Sequence, residues 1–358
     1  MERECIIYAG SYAGAKEPGI HAFRIVRGTE DTEIRTQEIF QSAGASNPSY
    51  LTVSKDGSLV YAVQEDMTYN GKEGGGIAAF RKQGNSLALL NTMGTRGTLP
   101  CHLILDEKRR FLYTANYMSG SVSMFRLGED GSIRDMCDFK QHSGQGPNPE
   151  RQEGPHVHFI GHSSDEKGIW CVDLGLDTIR YYGVDEKHAK LIPNEEREIH
   201  LPAGTGPRHF VLDRYRKEYM YVVCELSSEV YVVDCSGDKP QIIQGISTLD
   251  GCRTESTCAA IHLSEDGKYL YASNRGDDSI AVFSVEENHQ LRLAEITKTE
   301  GRNPRDFRIG DGILLAANQD SDSITVFLAD PSTGRITYTG KTIPCRKPVC
   351  LVSGVKGF

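Results

Sequence analysis

The sequence lacks the segments that place a protein in a membrane or on nucleic acid. No apolar run approaches the length that spans a bilayer, and no stretch is rich in Lys and Arg. The net charge is −9 at pH 7, so attraction to a phosphate backbone is not expected. We therefore expect neither a nucleic-acid partner nor a membrane partner.

Cysteine is present, but its spacing does not indicate a metal site or a disulfide framework. The ten cysteines among 358 residues include no Cys-x-x-Cys pair, and the closest pairs are Cys252/Cys258 and Cys345/Cys350. Zinc sites usually need closer pairs, and small secreted disulfide scaffolds are denser in cysteine. We expect no metal and no other cofactor. The opening residues MERECIIYAG show no basic segment followed by a long apolar run, which predicts a cytoplasmic protein.

The chain does contain one phrase that is repeated about seven times. An anchor residue, usually Pro, is followed by short β-branched and aromatic strands and Asp-Gly type turns, as in TCAAIHLSEDGKYLYASNRGDDSIAVF (257–283). The anchors lie 44 to 55 positions apart, at Pro48, Pro100, Pro155, Pro207, Cys258, Pro304 and Pro348. A fixed period in this range indicates a solenoid or a propeller, and short strands between turns indicate four-stranded blades.

One copy of the repeat is split between the two ends of the chain. KPVCLVS (347–353) reads as the first strand of a blade, whereas ECIIYAGSY (4–12) and GIHAFRI (19–25) read as second and third strands. Joining them completes a blade and closes a ring, which removes exposed sheet edges. We therefore predict an all-β, seven-bladed β-propeller with four antiparallel strands per blade, closed by the terminal strands and forming a single domain over 1–358.

Turn lengths predict which face of the ring carries function. With the four strands of a blade called a to d in chain order, those of the second blade are expected near 48–54, 58–64, 76–82 and 87–93. The a–b and c–d turns are tight, whereas the connections on the opposite face include the long loops 65–75 and 138–154. Long loops on a rigid scaffold are typical carriers of function.

Two positions of the repeat are expected to meet on that face, beside the central channel. The first follows the anchor and holds Ser49, Cys101, His156, Arg208, Ala259, Arg305 and Val349. The second follows the end of strand b and holds Tyr12, Glu65, Tyr117, Leu174, Glu225, Arg275 and Gln319. Small or apolar residues would suit a packed channel, yet charged and imidazole side chains accumulate. This pattern indicates an anion site that contains an acid–base group.

Structural roles fit several of these residues as well. Arg305 would suit a charge on the rim or a salt bridge between blades, and Glu225 beside Arg208 would suit a structural ion pair. A second set of residues is expected to be structural or exposed: His102, His162, His188, His200 and His289. The asparagines that repeat at one position, Asn116, Asn274 and Asn318, are expected to bond the loop backbone after strand b.

Six segments of the chain carry a resemblance to a known family. They are NPERQEGPHVH (148–158), DLGLD (173–177), GPRH (206–209), CEL (224–226), SNRG (273–276) and ANQDSDSI (317–324). Together they closely resemble the lactonase family with a seven-bladed β-propeller. That family includes propeller-type 6-phosphogluconolactonases and fungal carboxymuconate lactonising enzymes. The likeness spans the whole chain, and NPERQEGPHVH is a specific signal, whereas the blade phrase is generic.

The resemblance implies a metal-independent lactone hydrolase, first of all a 6-phosphogluconolactonase with a small anionic lactone as substrate. In the muconate branch a His, two Arg and a Glu are proposed to form the active site, and they match His156, Arg208, Arg275 and Glu225. We expect Glu225 to deprotonate water, with His156 as the alternative base or as proton donor. The arginines would bind phosphate or the oxyanion. The expected substrate-binding residues are His158, Arg151, Gln152, Arg305, Gln319, Tyr117 and Glu65.

Two other functions fit the same residues. A lactonising cycloisomerase would hold substrate carboxylates with the arginine pair and protonate carbon with a general acid. A non-enzymatic propeller would bind an anionic metabolite or a protein, although a pure anion receptor needs no Glu225 beside its arginines. A serine nucleophile is not expected, because the G-x-S-x-G elbow is missing. We expect a monomer or a weak homodimer.

Overall fold

The computed structural model describes residues 2–28, 33–237, 239–251 and 255–354. Strands that are neighbours in the chain pair antiparallel, because short β-branched and aromatic segments alternate with tight turns. Glycines with positive φ complete the a–b turns of two blades, Gly57 at 71° and Gly267 at 67°. The result is seven four-stranded blades, as the repeat predicts.

The strands are numbered in chain order. The chain begins with the three outer strands of blade one, β1 (Arg3–Ser11), β2 (Ile20–Arg27) and β3 (Ile34–Ser42). Blade two contains β4 (Leu51–Val53), β5 (Leu59–Gln64), β8 (Gly76–Lys82) and β9 (Leu87–Gly94), with a small hairpin of β6 (Thr68–Tyr69) and β7 (Lys72–Glu73) in its long loop. Blade three contains β10 (Pro100–Asp106), β11 (Phe111–Asn116), β12 (Ser121–Leu127) and β13 (Ile133–Gln141). Blade four contains β14 (Val157–His162), β15 (Gly168–Asp173), β16 (Thr178–Asp185) and β17 (Lys190–Pro193), and β18 (Ile199–His200) also pairs with β16.

The remaining blades repeat the same order. Blade five contains β19 (Pro207–Leu212), β20 (Tyr219–Cys224), β21 (Glu229–Asp234) and β22 (Gln241–Ser247). Blade six contains β23 (Thr257–Leu263), β24 (Tyr269–Arg275), β25 (Ser279–Val285) and β26 (Leu291–Lys298). Blade seven contains β27 (Pro304–Gly310), β28 (Ile313–Asn318), β29 (Ser323–Ala329) and β30 (Ile336–Pro344). The last strand, β31 (Pro348–Ser353), is strand a of blade one.

The ring closes where the split copy predicts. β31 pairs antiparallel with β1, so that Ile7 lies opposite Ser353 and Gly10 opposite Cys350. The a strands also contact one another in an unbroken circle: β31 contacts β4, β4 contacts β10, and the series continues through β14, β19, β23 and β27 back to β31. The a strands therefore line the central channel.

The hydrophobic core lies between the blades. Within the described residues, the buried apolar side chains form seven clusters, and each joins two adjacent blades. Trp170 of blade four packs in one cluster with Met220 of blade five, and Ile7 of blade one packs in another with Leu315 of blade seven. Burial of each such side chain contributes roughly 1.5–3 kcal/mol, so every blade is stabilised by both of its neighbours.

Two expectations about local structure need correction. The repeated asparagines do not bond the loop after strand b: Asn116 donates to Ser121 and Ser123 of strand c, and Asn274 donates to Thr248 of the preceding loop and to Ser279. The loop expected at 138–154 begins later, because β13 continues to Gln141 as the paired edge strand of its blade. The short 3₁₀ turns Glu195–Arg197 and Gln319–Ser321 are helical, but no described helix is long and apolar enough to span a membrane.

Candidate functional site

A β-bulge near the start of strand a occurs in six of the blades, and in five of them it leaves a single residue of strand a unpaired. In blade five, Pro207 pairs with Cys224 and His209 with Val223, so Arg208 is left unpaired between them. The bulged residues of the five strands are Cys101, His158, Arg208, Arg305 and Val349. Bulges beside active sites commonly direct a side chain in this way. Here each one places a residue against the channel.

The strand pairing corrects one member of the predicted series. His156 was aligned with the bulged residues, but Val157 is the residue that pairs with Asp173, and His158 is therefore the bulged residue of blade four. His156 precedes the strand. The alignment of the repeats was made on the anchor Pro. In this copy Pro155 lies two residues before Val157, the residue that pairs with strand b, so the alignment is shifted by two residues.

The bulged side chains meet residues from the second predicted position inside the channel. One enclosed cavity is lined by Ser49, Glu65, Cys101, His158, Arg208 and Arg305, among others. The space open to the centre of a water molecule is about 10 Å³, which is roughly enough for a single water. Residues from the two predicted positions of the repeat therefore do converge. They lie at the end of the channel where the long loops are.

Glu225 is the centre of the cationic part of the site. Its Oε2 accepts hydrogen bonds from Arg208 Nε at 3.1 Å and lies 2.7 Å from Arg275 Nη2, and its Oε1 accepts one from Arg151 Nη2 at 2.5 Å. The Glu225 side chain is 5% exposed. Three guanidiniums on one buried carboxylate leave a net positive charge, which suits an anionic ligand.

These contacts determine the protonation of Glu225. Burial alone would raise its pKa, but Arg275 and Arg208, followed by His158 and Arg151, outweigh burial and hold the pKa far below the ordinary value. Burial and the neighbouring cations also lower the pKa of Arg208 to about 10, which still leaves a cation at neutral pH. Glu225 is thus a fixed anion that orients guanidiniums, and it is poorly suited to accept a proton.

Arg151 reaches the site from the long loop before blade four. Its side chain is 38% exposed, and Nη2 also lies 3.4 Å from the hydroxyl of Tyr117. The next residue, Gln152, does not share this position. It is fully buried, its amide nitrogen donates to Leu174 O and its amide oxygen accepts from Asn148 N. Gln152 therefore fastens the loop that carries Arg151, and the prediction that it binds substrate is not supported by its position.

Two histidines lie around Tyr117. The His156 ring stacks on Tyr117 with centroids 4.6 Å apart, its Nδ1 lies 3.1 Å from Tyr117 O, and its Nε2 lies 3.2 Å from Glu153 Oε1. The His158 ring meets Tyr117 edge-on at 5.5 Å. Burial and Arg208 keep the pKa of His158 well below its ordinary value, so this imidazole is neutral. Its Nδ1 is buried and has no partner among the described residues.

A second carboxylate, Glu65, lies on the other side of the cavity. It accepts hydrogen bonds from the hydroxyl of Tyr12 at 3.1 and 3.2 Å, and from the hydroxyl of Ser49. Burial raises the pKa of Glu65, although Arg305 opposes this in part. The guanidinium of Arg305 lies over the Tyr12 ring, 5.8 Å from its centroid, so the predicted alternative of a salt bridge between blades does not describe it.

Most of the predicted site residues are thus brought together, with two exceptions. Gln152 serves the loop, and Gln319 begins a 3₁₀ turn, where its amide donates to Asp320. Sequence reasoning missed the hydroxyls of Ser49 and Tyr12 as partners of Glu65, although both stood in the aligned positions. Among the described residues no group of three or more His, Cys, Asp or Glu could hold a metal ion, and metal independence stays a prediction.

Fold and site together define a seven-bladed propeller whose channel holds a group of arginines and two carboxylates. The chain belongs to the seven-bladed β-propeller lactonase family, whose profile, described as "Lactonase, 7-bladed beta-propeller", matches residues 6–353.

Individual relatives extend over nearly the full length. The chain is 34% identical to a 6-phosphogluconolactonase of Bacillus subtilis, across 96% of this chain and 97% of the relative. It is 32% identical to a 6-phosphogluconolactonase of Formosa agariphila, across 92% and 94%. Among solved structures, the periplasmic gluconolactonase of Pseudomonas aeruginosa superposes with a TM-score of 0.88 at 28% identity, covering 98% of this chain and 99% of that one.

Proposed function

We propose that the protein hydrolyses a sugar lactone and that 6-phosphogluconolactone is its substrate. The observation that carries this proposal is the group of four arginines, Arg151, Arg208, Arg275 and Arg305, around one end of the channel. A phosphorylated lactone brings a dianion and an ester carbonyl, and its hydrolysis generates a negatively charged tetrahedral oxygen. Guanidiniums suit both charges. The names of the two relatives above support the same substrate.

The proposal gives the arginines different tasks. Arg208 and Arg275 are fixed by Glu225 and also donate to the backbone, to Ala259 O at 2.7 Å and to Cys258 O at 3.0 Å. Such pre-oriented donors suit an oxyanion, because they need no rearrangement when charge develops. Arg151 is partly exposed at the mouth, and it would meet the phosphate of an incoming substrate.

We place the reaction in the cytoplasm. The nine described cysteines are all free thiols, which suits a reducing compartment. Secretion of the protein with its thiols oxidised would contradict this assignment.

The test is a rate measurement with three substrates in the presence of a chelator. The purified protein is mixed separately with 6-phosphogluconolactone, gluconolactone and carboxymuconate, and the spontaneous hydrolysis of each lactone is subtracted. We expect the largest acceleration with 6-phosphogluconolactone. If gluconolactone is hydrolysed equally fast or faster, the phosphate group is not needed for substrate recognition, and that part of the proposal is wrong. Turnover of carboxymuconate alone would favour a lactonising enzyme, and no turnover at all would favour a binding protein.

A further inference from the structure

The two carboxylates of the site have opposite surroundings. Glu225 is bound by the guanidiniums of Arg151, Arg208 and Arg275. Glu65 is bound by neutral hydroxyl donors, and the residue is half-buried. Both belong to the position that follows strand b, and both therefore face the same end of the channel. When two such groups differ in this way, the one with the higher proton affinity is suited to acid–base work and the other to charge stabilisation.

We propose that Glu65 is the catalytic residue that exchanges protons with the substrate, and that Glu225 is a positioning residue for the arginines. This inference rests on the proposed lactonase function and departs from the expectation that Glu225 deprotonates water. Its basis is the shared cavity: Glu65 lines the same enclosed space as Arg208, Arg305 and His158. A water molecule bound there would lie between an acceptor for its proton and the donors that stabilise the oxyanion.

The proposed step conserves atoms and charge. A water oxygen bonds to the carbonyl carbon of the lactone, Glu65 takes one proton from that water, and the carbonyl electron pair moves onto oxygen beside the arginines. The carbonyl then re-forms and the bond from carbon to the ring oxygen breaks. Glu65 returns its proton to that oxygen, which becomes a hydroxyl. The new carboxylic acid releases a proton to solvent, and Glu65 is again a carboxylate.

The other titratable groups of the cavity fit this exchange less well. His158 is buried and kept neutral by burial and Arg208, so it is a weak base at neutral pH. His156 has one ring nitrogen on Tyr117 O and the other on Glu153. Burial raises the pKa of Tyr12 to about 12 and that of Cys101 above its ordinary value, so both stay protonated. Tyr12 can then donate to Glu65 throughout the cycle.

Burial sets the direction in which the pKa of Glu65 is shifted, and the neighbouring charges and hydroxyl donors oppose it. Burial is the largest influence and raises the pKa of Glu65, whereas Arg305 and, more weakly, Arg208 favour the carboxylate. The base form is therefore present at high pH and is lost as the pH falls through a pKa above the ordinary one. We expect kcat/KM of the wild type to fall on the acid side with this pKa.

The experiment compares Glu65→Gln with Glu73→Gln, which removes an exposed carboxylate from the same loop. With the lactone that the wild type hydrolyses fastest, we expect kcat of Glu65→Gln to fall roughly 10²–10⁴-fold with little change in KM, since general acid–base catalysis contributes this much. We also expect the acid limb of the pH profile to disappear from the residual rate. Glu73→Gln should retain both the rate and the limb.

A second measurement tests Glu65 without turnover. Carboxyl ¹³C resonances of glutamate-labelled protein are followed against pH, and the resonance missing from Glu65→Gln is assigned to Glu65. We expect its midpoint above those of exposed glutamates. A midpoint at or below theirs, or normal kcat in folded Glu65→Gln, would overturn the inference and leave the lactonase function standing. A wild type that accelerates none of the lactones would overturn the proposed function and this inference together.

Discussion

The two ends of the a strands differ in how closely they repeat. At the end that leads into the a–b turn, the same contact recurs: Ser54, Ser163 and Ser264 each donate to the Asp two positions on, at 2.6, 2.6 and 2.7 Å. At the other end the bulged residues share a backbone geometry but not a side chain, since they are Cys101, His158, Arg208, Arg305 and Val349.

This contrast separates two kinds of position within one repeat. A side chain that recurs in several blades serves the blade, because those blades share the same a–b turn. A position that keeps its backbone geometry but varies its side chain serves the cavity that the five bulged strands line together. Substitutions at the turn end should therefore change stability alone, and substitutions of residues that line the cavity at the channel end should change activity, with Glu225 as the informative exception.

The largest effect is expected at that exception. Glu225→Ala leaves Arg151, Arg208 and Arg275 together without their common anion, and removing one partner of a buried ion pair costs about 3–5 kcal/mol. Urea unfolding measures the loss in the free energy of unfolding, with Glu73→Ala as the exposed control. A loss below about 1 kcal/mol, as is usual for an exposed pair, would show that the group is not held by Glu225.

The next effect concerns activity at the bulge of blade five. Arg208→Ala removes a pre-oriented donor while Arg151 and Arg275 still hold Glu225, so kcat should fall roughly 10²–10³-fold. Lactone hydrolysis with circular dichroism as a check on folding measures this. Arg126→Ala, on an exposed ion pair in strand c of blade three, is the control and should remain fully active. Near-normal turnover of folded Arg208→Ala would exclude Arg208 from the chemistry.

A smaller effect is expected at Asn274. This residue repeats between blades on the same face as the site, but its side chain points away from the cavity. Asn274 is fully buried and accepts from Thr248 Oγ1 at 2.7 Å while donating to Thr248 O and Ser279 Oγ. Asn274→Ala removes these hydrogen bonds and leaves Thr248 O without its side-chain donor, which should lower the free energy of unfolding by about 1–3 kcal/mol. The variant should keep its kcat under conditions where it is folded. A loss of kcat with unchanged stability would place Asn274 in the chemistry.

The smallest effect is expected at the turn end. Ser264→Ala removes the hydrogen bonds to Asp266 and to Tyr269 N, which should cost about 1 kcal/mol in thermal or urea unfolding. Its kinetic constants should match those of the wild type. A change in kcat here would show that the two ends of the strand are coupled, and the contrast between them would fail.

The fold followed from sequence more completely than the site did. Period, turn residues and the split copy together define the ring, because each is a local pattern that a blade must satisfy. Most of the residues that face the channel followed too. The exceptions are Gln319, which begins a 3₁₀ turn, and the copy in which two residues before Val157 shift the alignment. That shift made His156 look like a bulged residue in place of His158.

The environment of each side chain was not visible in the sequence. Glu65 and Glu225 occupy the same position of the repeat, and only their neighbours, some of them from other blades, distinguish them: hydroxyls around one and guanidiniums around the other. Gln152 likewise follows Arg151 in the chain, yet the two side chains have different roles: Gln152 fastens the loop, and Arg151 contacts Glu225. Proton affinity depends on burial and on charges brought from distant parts of the chain, which spacing alone does not encode.

The pairing of β31 with β1 has a consequence for biosynthesis. During translation the first three strands emerge early, but β31, the partner for the inner edge of β1, is made only after the other six blades. Until β31 is made, the apolar surfaces of β1 that face the two neighbouring blades in the folded ring remain accessible to water and to other nascent chains. We expect ribosome-bound chains stalled before Pro348 to be captured by chaperones and cut by proteases far more readily than released ones.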